Sequence, residues 1–257
     1  MTTAEKIKLG VDVKTYPQFL FKYRADNSFT EKIISDNELY FSNPRIFNDP
    51  YDCNTLINTT TSLDDIKDWL RSVGIAPAHI GNCASLLQKN PNWIKDSTDD
   101  ALNKTGVCCF STMDDSILQW SHYSDYHKGI CLKFDITADP DFFHLPVVVS
   151  YRKVMQHYNH FTQSANIVKY LIQPKFSEWA YESEIRVVKP ELFMQANGNN
   201  RTFKDKDSAL KEVIFGTKTP DPVKDKYKQL CANNNKGHVQ FFKMELDSGV
   251  QYKLNKI

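Results

Sequence analysis

The stretch from Trp179 to Lys189 reads Trp-Ala-Tyr-Glu-Ser-Glu-Ile-Arg-Val-Val-Lys, and its alternation constrains the fold more than any other segment. In a strand of period two, Glu182, Glu184 and Arg186 share one face, while Tyr181, Ser183, Ile185 and Val187 share the other. The β-branched residues among them favour extended backbone, so the pattern predicts a strand over about 181–188. Two carboxylates and a guanidinium in so short a run are costly to gather without a task, which makes this strand the anchor of a candidate active site. The plainer alternative is a surface ion-pair ladder in which Arg186 neutralises Glu184.

Around this anchor, strand patterns recur at Phe19–Arg24, Glu38–Ser42, Gly106–Ser111, Gly129–Asp135, Val147–Tyr151, Glu212–Phe215, Val239–Glu245 and Gln251–Leu254. Helical patterns fall at Thr30–Asp36 with a cap near Ser28, at Ser116–Tyr123, at Ile167–Gln173 and at Pro222–Cys231. From Ser62 to about Asn103 the spacing of Ile66, Trp69, Leu70 and Val73 is helical, and Pro77 and Pro91 divide the region into two or three helices. Strands outnumber those of a doubly wound fold and helices come in blocks. The expected class is therefore α+β: a mixed, mostly antiparallel split sheet with flanking helices, in a single domain over 1–257 with a helical insertion at about 62–104.

With 32 Lys and Arg against 31 Asp and Glu, the 257-residue chain has a formal charge of +1 and no global field to draw it onto nucleic acid or membrane. No signal peptide or run of ~20 apolar residues stands out, so the expected setting is cytoplasmic. Six cysteines without Cys-x-x-Cys spacing read as reduced core thiols. Phosphate-binding glycine loops, nucleophile elbows and His-Glu-x-x-His helices are absent. The pair His157 and His160 lacks nearby partners, and no metal site is expected.

Besides the anchor strand, three segments concentrate polar and aromatic side chains. In the first, Phe21-Lys-Tyr-Arg24, a guanidinium at a strand end can clamp a phosphate or simply reach solvent. The second joins Tyr40 and Ser42, placed on one strand face, to the turn Asn48-Asp-Pro-Tyr-Asp52, where Asn48, Asp49 and Asp52 line a cleft or merely hold the turn. The third is Gln119-Trp-Ser-His-Tyr123 with His127-Lys-Gly129, where a histidine is either an acid–base group or a satisfied structural one.

Read together, Lys22-Tyr-Arg24, Leu39-Tyr-Phe-Ser-Asn-Pro44, Phe47-Asn-Asp-Pro-Tyr-Asp52, Cys109-Phe-Ser111, Trp120-Ser-His-Tyr123, His127-Lys-Gly129, Trp179 to Arg186 and Glu212 to Gly216 resemble the bacterial domain-of-unknown-function family 2971. That resemblance implies no established reaction, and it suggests an association with mobile elements and antiviral defence. A weaker likeness is to ADP-ribosyltransferases, which share an early strand-end arginine, a serine on the next strand and a late Glu-x-Glu. Tyr40 stands where that superfamily has the first residue of its serine motif.

The second likeness implies NAD as substrate. Arg24 would hold its pyrophosphate or ribose, Ser42 the nicotinamide ribose, Glu184 would be the catalytic carboxylate and Glu182 would orient the acceptor. Tyr23, Tyr40 or Trp120 would stack on a ring, and Asn48, His122 and Tyr123 join the binding set. A carboxylate near the ribose would stabilise the oxocarbenium-like cation formed as the nicotinamide bond breaks. Expected partners are NAD, a protein or nucleic-acid acceptor and a cognate antitoxin or defence protein, with no membrane. The alternative is an NAD-independent nuclease or nucleic-acid binder in which Arg24, Lys128, His122, His127 and Arg186 meet phosphate. A non-catalytic interaction module is the third reading.

Overall fold

The computed structural model describes residues 1–54, 56–58, 60–144, 146–164, 167–246 and 252–256. In chain order the elements are α1 (Thr3–Asp12), β1 (Phe19–Arg24), α2 (Ser28–Ser35), β2 (Glu38–Tyr40), α3 (Leu63–Ser72), α4 (Pro77–Lys89), α5 (Trp93–Asn103), β3 (Gly106–Ser111), α6 (Ile117–Tyr123), β4 (Ile130–Asp135), β5 (Val147–Val148), β6 (Ser150–Arg152), α7 (His160–Gln163), α8 (Ile167–Leu171), β7 (Pro174–Phe176), β8 (Glu184–Lys189), α9 (Glu191–Ala196), β9 (Thr202–Lys204), β10 (Leu210–Phe215), α10 (Asp221–Asn233), β11 (Gln240–Leu246) and β12 (Tyr252–Lys256). The class is α+β. The chain divides into two compact units, one of Met1–Phe41, Val107–Val148 and Ala180–Ile257, the other of Ser42–Gly106 and Val149–Trp179.

The first unit is built on an eight-stranded sheet in the order β12-β11-β10-β4-β1-β3-β8-β5. Antiparallel pairs join β1 to β3 and β4, β4 to β10, β5 to β8 and β11 to β12, while β10 and β11 run parallel. Strand alternation sorts the side chains between two faces. On one face Leu20, Cys108, Phe110, Leu132, Phe134, Ile185, Val187, Val213 and Phe215 form the main core, together with Ile33 and Ile34 of α2 and Tyr227 and Cys231 of α10. On the other face Phe21, Tyr23, Cys131, Ile214 and Met244 pack with Trp120 of α6.

Local chemistry accounts for the helix starts. Asn27 caps α2 by accepting the Thr30 amide, in place of the expected Ser28. Thr2 and Glu5 form a capping box on α1, a helix the periodicity analysis passed over. Ser116 caps α6.

The second unit holds α3, α4 and α5 in the stretch expected to be helical, with Ser62 capping α3. Its core gathers Ile66, Leu70, Ile80 and Ala84, flanked by Trp69 and Phe161. The expected strand Val147–Tyr151 is interrupted: Val147 and Val148 pair with β8, whereas Ser150 to Arg152 run parallel with β7. Gln251, the start of the expected last strand, lies outside the described residues.

Candidate functional site

The anchor segment departs from its expected geometry. Only Glu184 to Lys189 is strand, Ser177–Glu182 is a 3₁₀ turn, and Ser183 between them is left-handed at φ +44°. A non-glycine residue there costs roughly 1–3 kcal/mol and persists only where its surroundings over-determine it. Glu182 therefore leaves the strand face it was expected to share with Glu184 and Arg186. Period-two reasoning had no means of seeing the break, because Ser183 fits an alternating pattern as well as any polar residue.

Glu184 and Arg186 do share a strand face. Arg186 Nε donates to Glu184 Oε1 at 2.8 Å and Nη2 donates to Oε2 at 3.1 Å, with the residues 0% and 4% exposed. This is a buried bidentate pair, not a surface ladder. Cys109 bonds the same carboxylate, and burial followed by that carboxylate's charge holds its thiol well above the usual range, which keeps it un-ionised and inert. All six cysteines are free thiols.

Arg24 is on the other side of the sheet. It follows Leu20 and Lys22 in alternation, its Nε donates to Thr30 Oγ1 at 3.3 Å, and burial lowers its pKa with Cys108 and Tyr227 opposing the shift. Glu184 faces away from the Ile185 and Val187 core to which Cys108 belongs. The expectation that Arg24 and Glu184 reach one cleft is thus corrected by strand parity: the two groups are separated by the thickness of the sheet.

Carboxylate, phenol and imidazole come together instead between α6 and the turn before β8. Tyr123 donates its hydroxyl to Glu182 Oε1 at 2.5 Å, and Glu182 is 6% exposed. His122 Nδ1 lies 3.1 Å from the Tyr181 hydroxyl, with the two rings at 74°. His122 is exposed and Tyr123 is 37% exposed, so the Tyr123 phenol links the buried carboxylate to the surface. The consecutive placement of His122 and Tyr123 on one helix, opposite the consecutive Tyr181 and Glu182, produces two parallel side-chain pairs.

Beyond α6 the chain makes an unusual turn. Asp125, Tyr126 and His127 are all left-handed, at φ +45°, +52° and +71°. His127 N donates to Trp120 O at 3.0 Å, and Lys218 N donates to His127 O at 3.0 Å. A Cβ at Gly129 would stand 2.2 Å from Arg24 O, and one at Gly216 would stand 2.2 Å from His127 O, so both positions require glycine. Burial, then Lys218, lowers the pKa of His127 and keeps it neutral at physiological pH.

Of the other sequence candidates, Trp120 is fully enclosed, its Nε1 bonded to Asp114 O at 2.8 Å and its ring edge-on to Tyr23 at 5.2 Å. Tyr23 is buried, and its hydroxyl donates to Met113 O at 2.9 Å. Neither presents an open ring face to a ligand. Tyr40 ends β2, which pairs only over Glu38–Tyr40, and is 55% exposed; Ser42 lies past the strand, in the second unit.

In that unit Asn48 is exposed, Asp49 Oδ1 accepts the Tyr51 amide at 2.9 Å, and Asp52 is 3.4 Å from Lys175 Nζ. This is the Asx-held turn geometry. His160, one of the histidine pair, bonds the Tyr158 hydroxyl at 2.9 Å and packs edge-on to Trp69. Among the described residues no group of three or more His, Cys, Asp or Glu could hold a metal, and no helix is long and apolar enough to cross a membrane.

Gln119, Ser111 and Tyr181 belong to the site and were passed over as candidates. Gln119 directly precedes the Trp-Ser-His-Tyr motif, and its burial, which the sequence does not signal, is seen in the structure. No curated protein and no solved structure matches the chain. Residues 119–187, which run from Gln119 of α6 to Val187 of β8 and so contain both halves of the carboxylate–phenol–imidazole cluster, match the family described as "Protein of unknown function (DUF2971)".

Proposed function

We propose that the chain is an acid–base enzyme that cleaves a ribosyl bond, with NAD as substrate and ADP-ribose transferred to a macromolecular acceptor. Glu182, not Glu184, is its working carboxylate. The observation that carries this reading is the Tyr123–Glu182 contact at the end of α6: a carboxylate withdrawn from solvent, yet bonded to the hydroxyl of a residue that reaches the surface.

In the reaction the C1′–N bond to nicotinamide breaks heterolytically. Neutral nicotinamide leaves with the electron pair, and the ribosyl cation is stabilised by Glu182 across a low-dielectric gap. The acceptor then bonds to C1′ and gives up its proton to His122, whose Nδ1 is oriented by Tyr181. With Arg24 behind the sheet, the exposed cations nearest in sequence to α6, Lys128 above all, take over the expected phosphate contacts. A role as a bacterial defence effector or toxin, countered by a cognate antitoxin, follows from such an activity.

A second reading, cleavage of RNA, is favoured by the exposure of His122 next to Tyr123, whose hydroxyl bonds the Glu182 carboxylate. Glu182 would take the proton of a 2′-hydroxyl while His122 protonates the leaving 5′-oxygen. One assay separates the readings: purified protein is incubated with NAD labelled in its ADP-ribose portion and a cell extract. Label on protein or nucleic acid with release of nicotinamide supports transfer. Shortened RNA without NAD supports the nuclease, and neither product leaves an interaction module and defeats both.

A further inference from the structure

The left-handed turn that carries Glu182 is held by buried polar side chains. Gln119 and Ser111 are 4% and 2% exposed. Gln119 Nε2 lies 2.9 Å from Ser111 Oγ, 3.1 Å from Glu182 O and 3.2 Å from Tyr181 O. Ser111 Oγ donates to Glu182 O at 2.8 Å and accepts the Met113 amide at 3.0 Å. Ser116 Oγ reaches Tyr181 O at 3.3 Å, and Thr112 N donates to Ser183 O at 2.9 Å. Three successive carbonyls, those of Tyr181, Glu182 and Ser183, are therefore pinned by donors from residues 111–119.

Pinning these carbonyls fixes the peptide planes on both sides of Glu182, and with them the direction of its side chain. An extended backbone through Ser183 would return Glu182 to the face of Glu184 and away from Tyr123. The amide of Gln119 suits this work as a carboxylate would not, because its two N–H bonds meet three oxygens.

We infer that Gln119 and Ser111 are positioning residues that act through the main chain of Tyr181 and Glu182 to hold the Glu182 carboxylate against Tyr123. As a statement about catalysis this rests on the reading of Glu182 as the working carboxylate. As a statement about geometry it stands apart, and the experiment keeps the two separate.

Nicotinamide release from NAD is measured for the unmutated chain, Gln119→Met, Ser111→Ala and Ser111→Thr, alongside the carboxyl titration of Glu182 followed by ¹³C NMR on glutamate-labelled protein and assigned with Glu182→Gln. Gln119→Met lowers kcat about tenfold with little change in KM and moves the Glu182 titration midpoint. Ser111→Ala does the same more weakly, and Ser111→Thr, which keeps the hydroxyl, recovers most of the loss.

In the unmutated chain the Gln119 amide protons exchange with solvent far more slowly than those of an exposed glutamine, a readout independent of any variant's folding. Rapid exchange of those protons, or a Glu182 titration identical in folded Gln119→Met, overturns the inference. If the unmutated chain releases no nicotinamide while the titration still moves, the functional reading fails and the positioning role stands.

Discussion

Two carboxylates separated by one residue live under opposite conditions in this protein. Glu184 is on regular strand, gripped by both arms of Arg186, and belongs to the sheet. Glu182 is on a 3₁₀ turn, set off by a left-handed serine, and meets a tyrosine hydroxyl that reaches the surface. A charge neutralised bidentately inside a sheet is poorly suited to stabilise a developing cation, since its field is already spent on the guanidinium. Glu182 differs in being joined to the surface by the Tyr123 hydroxyl. Side-chain identity and spacing were the same kind of signal in both cases; the backbone gave them different surroundings.

The contrast is sharpest in stability. Arg186→Met leaves Glu184 buried beside no guanidinium and is expected to cost about 3–5 kcal/mol, read as a lowered midpoint in urea. Replacing both partners by apolar residues, Glu184→Leu with Arg186→Met, recovers much of that loss. A double variant no better than the single would show that the pair's remaining neighbours, and not the unpaired charge, set the cost.

At the other carboxylate the effect moves to turnover. Tyr123→Phe removes the hydroxyl from Glu182 and should lower kcat about tenfold, as the loss of one hydrogen bond to a charged group, with the thermal midpoint nearly unchanged. A large drop in stability with normal kcat would make Tyr123 structural and weaken the comparison.

A third buried carboxylate extends the contrast to pH. Asp205 has one oxygen, Oδ1, with no hydrogen-bond partner among the described residues, and burial, partly opposed by Lys236, raises its pKa to about 8. The folded chain therefore keeps a proton that the unfolded chain releases near pH ~4. Stability from this group is complete below that point and is lost as pH rises through about 8. Asp205→Asn should flatten the decline that runs from pH ~4 up to about 8 and raise the thermal midpoint by roughly 2–4 °C near pH ~9, with a smaller difference near pH ~5. Parallel curves for the two proteins would contradict the assignment.

The elements that carry the sheet were legible because short apolar runs mark strands buried on both faces: Phe19–Arg24 and Gly106–Ser111 fall where their patterns placed them. What stayed hidden was decided by backbone conformation or by parity across strands. The left-handed Ser183 has no signature in a single sequence, and the face of Arg24 depends on which cluster its neighbours Leu20 and Lys22 join. The division of Val147–Tyr151 between two sheets is likewise invisible in the sequence, where Ser150 alone interrupts the run and fits a single strand as well. The first helix is marked in the sequence by the capping-box spacing of Thr2 and Glu5 and by only a thin apolar stripe, Ile7 and Val11. Of the Trp-Ser-His-Tyr motif, Trp120 supplies core while His122 and Tyr123 face outward, a division the motif itself does not show.

The central claim is that Glu182 works while Glu184 holds. Its most direct test is nicotinamide release from NAD by Glu182→Gln, with RNA cleavage followed in the same samples and the folded fraction confirmed by thermal melting. The account predicts a loss of ~10²-fold or more in rate in a chain that melts as the unmutated protein does. Full activity in a folded Glu182→Gln would contradict it.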